Sequence, residues 1–134
     1  MDLSQLVERA KRKTAWVEIC GFEVELRYPT KRDLREIEEF FAMRFTEDGA
    51  ELVPDRARRS RFLARFIKDW KGLTPEIAGE LLGIEIDGEQ DIPCTAKNRV
   101  ALVENAPDFE AALQAKLSKL YQERVRKVEE AQKN

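Results

Sequence analysis

Leu34-Arg35-Glu36-Ile37-Glu38-Glu39-Phe40-Phe41-Ala42-Met43-Arg44-Phe45 is the run on which the fold class turns. Leu34, Ile37, Phe41 and Phe45 recur at steps of three and four, the spacing of an inward stripe on an amphipathic helix. Pro29 stops whatever precedes it, and the Thr30 hydroxyl can cap the backbone N–H near Asp33, whose carboxylate then sits in the positive first turn. A loop through Thr46-Glu47-Asp48-Gly49 ends the helix. Phe40 and Phe41 are consecutive, so one helix cannot bury both against the same wall. Phe40 is therefore either a second core contact or an exposed aromatic anchor for a partner.

Upstream, Trp16-Val17-Glu18-Ile19 and Phe22-Glu23-Val24-Glu25-Leu26-Arg27-Tyr28 predict two strands, the second alternating apolar and charged residues at period two. Cys20-Gly21 supplies the turn of an amino-terminal β-hairpin that buries Phe22, Val24, Leu26 and Tyr28. Leu3, Leu6, Val7 and Ala10 share one helical face, so residues 1–13 are a short helix or a flexible arm. Downstream, Pro54 opens a second helix with Phe62, Leu63, Phe66, Ile67 and Trp70 on one face, closed by Gly72. Thr74-Pro75 starts a short helix to Gly83, and Ile84 to Pro93, around Asp87-Gly88, can form a second small hairpin. Thr95 caps a helix through Val103. A last helix carries Phe109, Leu113, Leu117, Leu120, Tyr121, Val125 and Val128 on one stripe, with residues 129–134 as a frayed end. The expectation is a mainly α protein of one domain, 1–134, with an amino-terminal β-hairpin and a second short one.

Composition narrows the function classes. With 134 residues the chain fits one domain with a real core. Its 24 basic and 26 acidic residues leave a formal charge of −2, so no global field attracts polyanions. The chain has no histidine, which excludes Ser-His and Cys-His nucleophile pairs within one subunit. Cys20 and Cys94 are too far apart in sequence for a metal-ligand spacing, no glycine-rich phosphate cradle is present, and carboxylate pairs such as Glu38-Glu39 read as solvated surface. The chain is read as non-enzymatic, without cofactor or metal. No apolar run reaches membrane-spanning length and the amino terminus does not look like a signal peptide, so a cytoplasmic location is expected.

Two features point to partners. From Pro54 to Lys71 seven bases, including Arg56, Arg58, Arg59, Arg61 and Arg65, face two acids, a local charge of +5. Such a stripe can bind phosphates. Acids on the helix before it, Asp33, Glu36, Glu38 and Glu39, and six more between Gly72 and Pro93 favour charge pairing and protein contact instead. The carboxy-terminal stripe is the second feature: Leu117, Leu120, Tyr121 and Val125 either pack on the body or dock in a partner's groove.

One string of residues carries a family resemblance. Trp70-Lys71-Gly72-Leu73, Asp87-Gly88, Ile92-Pro93-Cys94-Thr95-Ala96-Lys97-Asn98 leading into Arg99-Val100-Ala101-Leu102-Val103, and Pro107-Asp108-Phe109 follow one another in an order that resembles the tail assembly chaperones of long-tailed bacteriophages and prophages. The likeness covers the carboxy-terminal half, and the first half through the Tyr28-Pro29-Thr30 junction and general outline; Thr74 to Gly83 looks like an added helix. The resemblance implies a non-enzymatic chaperone in the bacterial host cell that binds the tape measure protein and keeps it soluble during tail assembly, with the tail tube protein and self-association as further contacts. The alternatives are a nucleic-acid-binding regulatory module using the Arg56–Arg65 helix, and a tail completion or connector subunit that stays in the particle.

Overall fold

The computed structural model describes residues 2–11 and 13–133. Among these the order is α1 (Leu3–Lys11), β1 (Thr14–Ile19), β2 (Phe22–Arg27), α2 (Lys31–Glu38), β3 (Phe41–Thr46), β4 (Gly49–Pro54), α3 (Arg56–Ala64), β5 (Ile67–Lys71), α4 (Pro75–Leu82), α5 (Ala96–Asn105) and α6 (Pro107–Lys133). Five strands in two antiparallel sheets make this an α+β fold, which corrects the mainly α expectation.

The three-stranded sheet has the order β1-β2-β5. Strict alternation in β2 turns Phe22, Val24 and Leu26 to one face, where all three are buried, and cross-strand pairing brings Ala15, Val17 and Ile19 of β1 to the same side. The β1–β2 turn places both central residues at positive φ, Cys20 at 52° and Gly21 at 91°, the geometry whose twist suits a two-residue hairpin. The β5 strand overturns the predicted continuous helix from Pro54 to Trp70. Leu26 faces Ile67 and Glu25 faces Asp69, which leaves Lys68 as the extra residue of a bulge. That bulge lets Ile67 and Trp70, three apart, both point inward. Pro54 closes β4, and Asp55 is the residue that caps α3, accepting from the Arg58 backbone N–H at 3.2 Å.

Helices α3, α5 and α6 cover the inner face, and α6 sets the depth of the core. Phe109, Leu113, Leu117 and Leu120, at steps of four, four and three, are all buried. The Phe109 ring stacks on Phe22 with centroids 5.7 Å apart, and Trp70 meets Phe22 edge-on at 6.2 Å. Two local predictions on the helices appear in detail. Thr30 and Asp33 form a reciprocal capping box, with bonds of 3.1 and 2.8 Å. Thr74 and Thr95 cap α4 and α5.

The expected hairpin between Ile84 and Pro93 is absent, because its backbone groups are engaged elsewhere. The Ile84 N–H closes the end of α4 on the Gly79 carbonyl, and the Ile92 N–H donates to Leu73. The Ile92 carbonyl in turn accepts from the Trp70 indole at 2.7 Å. The segment is an irregular strap pinned beside β5. At the carboxyl end α6 runs on as helix to Lys133, where fraying from residue 129 was expected. Met1, Arg12 and Asn134, and the side chains of Ala10, Lys11 and Lys133, lie outside the described residues.

Candidate functional site

Glu38 to Pro54 departs most from its prediction, and it builds the main candidate surface. Helix α2 stops at Glu38 and the chain turns extended, so Phe40 and Phe41, which a helix cannot bury together, go to opposite sides of a ribbon. Thr46 pairs with Gly49 across the two-residue turn Glu47-Asp48, and Gly49 sits at φ 129°. Direct cross-strand pairs are Phe41 with Pro54, Met43 with Leu52 and Phe45 with Ala50 on one side. Ala42 with Val53 and Arg44 with Glu51 occupy the other, the last closed by an exposed ion pair of 2.6 Å.

The first side is wholly apolar and faces solvent. Phe41 is 49% exposed, Met43 53%, Phe45 81% and Leu52 68%. Phe41 and Phe45 were expected in the core, so the structure reverses their assignment. The ribbon is held at its base, where the Asp55 N–H donates to the Phe40 carbonyl at 2.7 Å and the Phe40 ring packs on Phe62 at 5.3 Å. A two-stranded ribbon with no third layer is marginal in water. A contiguous exposed apolar patch on an otherwise charge-rich surface is a candidate contact surface.

The structure splits the arginine cluster between two sides of α3. Arg58, Arg61 and Arg65 line an open groove of about 470 Å³ with Phe40, Phe62 and Glu36, and the Arg58 guanidinium lies 5.6 Å from the centre of the Phe40 ring. Phe40 is half-buried there and belongs both to the core margin and to this groove. Arg56 and Arg59 face a separate cleft between α3, α5 and α6 that Glu104 and Glu110 also line. Arg59 donates from Nε to Glu110 at 3.0 Å, an ion pair largely shielded from solvent that ties α3 to α6. Glu110 lies in neither of the acidic segments expected to pair with the cluster.

The carboxy-terminal candidates separate in the same way. Leu117 and Leu120 are core residues, which corrects their assignment to an interaction surface. Tyr121 and Val125 are half-buried and share a mostly apolar groove of about 330 Å³ with Val128, Arg124 and the Pro29-Thr30-Lys31 corner. The change from core to groove comes after Leu120.

Partial burial pushes the thiols of Cys20 and Cys94 up from their ordinary value, with Asp108 adding to the effect at Cys20 and Arg99 opposing it at Cys94, so neither is an activated thiolate. Among the described residues no three His, Cys, Asp or Glu side chains are placed to hold a metal ion. No helix among them is long and apolar enough to cross a membrane. Sequence reasoning missed Met43 and Leu52 altogether; Asp48-Gly49 between two alternating runs was the signal that could have found them. Compared with protein-family models, curated proteins and solved structures, the chain matches none.

Proposed function

We propose that the chain is a phage or prophage tail assembly chaperone, a non-enzymatic protein of the bacterial host cell that binds the tape measure protein and keeps it soluble while the tail is built. The observation that carries this reading is the solvent-facing apolar side of the β3–β4 ribbon, Phe41, Met43, Phe45 and Leu52, in a chain without histidine or an activated thiol. A client that is a long, incompletely assembled helical protein exposes amphipathic helices, and such a helix lays its apolar face on a complementary surface. With whole side chains of roughly 150–200 Å², the exposed fractions of those four residues leave on the order of 500 Å² to cover. Covering it is worth about 12 kcal/mol gross, most of it offset by the cost of association, which suits a hold that can later be released.

A second reading rests on the Arg58, Arg61 and Arg65 row beside Phe40 and Phe62, a basic edge with aromatic rings of the kind that contacts nucleic acid. One experiment separates the two. The chain is co-expressed with the tape measure protein encoded beside it, alone and as Met43→Asp/Phe45→Asp. Chaperone action predicts a soluble complex that the double variant loses at least tenfold while its circular dichroism is unchanged. Equal client solubility with and without the chain, together with retention on DNA that falls steeply with salt, would sink it in favour of the second reading.

A further inference from the structure

Among the described residues the ribbon's apolar side is not alone in standing open. On α1, Leu3 is 73% exposed, Leu6 38% and Val7 51%, so this helix also turns an apolar face outward. The two surfaces do not cover each other in one molecule, since both are open at once. They are also rooted in different places: Lys13 and Thr14, at the exit of α1, lie beside Glu123, Arg124 and Lys127 of α6, whereas the ribbon stands on Phe62 of α3.

Their charges are opposite. Between Glu38 and Asp55 the sequence holds six acids, Glu38, Glu39, Glu47, Asp48, Glu51 and Asp55, against Arg44 alone, a local charge of −5, with Glu47 and Asp48 at the ribbon's tip and Glu51 paired to Arg44 on its other side. In the sequence Arg9, Lys11, Arg12 and Lys13 come at the carboxyl end of this segment, and against Asp2 and Glu8 they leave residues 2–13 at +2. A helix with an apolar face and a basic end is the occupant that an acid-tipped apolar ribbon favours, and α1 has both.

We propose that, in the protein by itself, the apolar side of β3–β4 is covered by α1 of a second copy, with two chains engaging each other reciprocally about a twofold axis. The area agrees with this. With side chains of roughly 150–200 Å², α1 leaves on the order of 250 Å² open, so reciprocal docking covers about 750 Å² on each subunit, close to the ~800 Å² per partner of a standard interface. One contact alone would fall well short of that, which is why the reciprocal arrangement is required. A twofold pair also closes on itself and leaves no ribbon free to continue into a filament.

The test needs no client, so its failure leaves the chaperone reading standing. Sedimentation velocity of the full chain between about 1 and 100 µM should show a dimer. Met43→Asp/Phe45→Asp should weaken it at least a hundredfold, and so should Leu6→Asp/Val7→Asp. Two charge-reversed chains, Arg9→Glu/Lys13→Glu, which takes residues 2–13 from +2 to −2, and Glu39→Lys/Glu47→Lys/Asp48→Lys, which takes the ribbon from −5 to +1, should each be monomeric alone and dimerise when mixed, because the mixed pair restores attraction at both contacts. A wild-type monomer across the whole range overturns the proposal. So does a dimer that survives the ribbon substitutions, or a mixture of the reversed chains that stays monomeric.

Discussion

Replacing Phe45 and Phe66 one at a time separates the observed fold from the helical alternative. Both residues fit a helical stripe in the sequence. In the structure Phe45 is 81% exposed on the ribbon, whereas Phe66 is fully buried, meeting Phe62 edge-on at 5.5 Å and lying under the Arg27 guanidinium at 4.5 Å. Phe66→Ala removes a whole buried ring and leaves a cavity, a loss of about 3–5 kcal/mol. Phe45→Ala removes a side chain already in water and should shift stability by less than ~0.5 kcal/mol. Since domains of this size have ~5–15 kcal/mol in total, Phe66→Leu serves as the gentler companion, with a loss of about 1–2 kcal/mol. The assay is urea unfolding followed by tryptophan fluorescence, at a concentration low enough that dilution no longer changes the midpoint. A loss above ~2 kcal/mol for Phe45→Ala would show that this ring is in the core and that the ribbon is wrong.

Three further outcomes follow from local geometry. A Cβ on Gly79 would lie 2.7 Å from the Ile84 backbone oxygen, so Gly79→Ala should cost about 1–2 kcal/mol in thermal unfolding, and the gain of ~1 kcal/mol expected from helix propensity alone would refute the close approach. Cys20 sits at φ 52°, where Asn is better tolerated; Cys20→Asn should raise stability by about 0.5 kcal/mol in the same assay, while Gly21→Ala, at φ 91°, should lower it by ~1 kcal/mol. A double-mutant cycle on Arg59 and Glu110, with Met and Gln as replacements, should give a coupling of about 1 kcal/mol, against less than ~0.5 kcal/mol for the exposed Arg44 and Glu51, and equal couplings would contradict the shielding of the first pair.

Features set by neighbouring residues were legible in the sequence. Thr30 with Asp33, Thr74 before Pro75, and Thr95 each mark a helix start through bonds that span three residues, and alternation in Phe22 to Arg27 marks a half-buried strand. Phe41 to Phe45 was ambiguous for a physical reason. Phe41 and Phe45 are four apart, which satisfies a helix, and Phe41, Met43 and Phe45 are each two apart, which satisfies a strand. The stripe that starts at Leu34 and Ile37 continues through both rings in the sequence, whereas the molecule ends the helix at Glu38 and leaves the rings exposed. Ile67 to Lys71 was hidden because its strand exists through pairing with Glu23 to Leu26, more than forty positions earlier. For the candidate site, the sequence located Phe40 and the arginines but not their division between two faces of α3. It also could not say where along α6 the core ends, so Leu117 and Leu120 were grouped with Tyr121 and Val125, although one pair is buried and the other lines a groove.

The central claim is that the client rests on the apolar side of β3–β4, and photocrosslinking tests it directly. A benzophenone side chain is placed at Met43 or Phe45, on that side, or at Arg44, on the opposite side of the same strand. Each variant is co-expressed with the tape measure protein and irradiated. The account predicts strong crosslinks to the client from positions 43 and 45 and at most weak ones from 44. Equal yields from all three positions, or a soluble complex with no crosslink from 43 or 45, would contradict it.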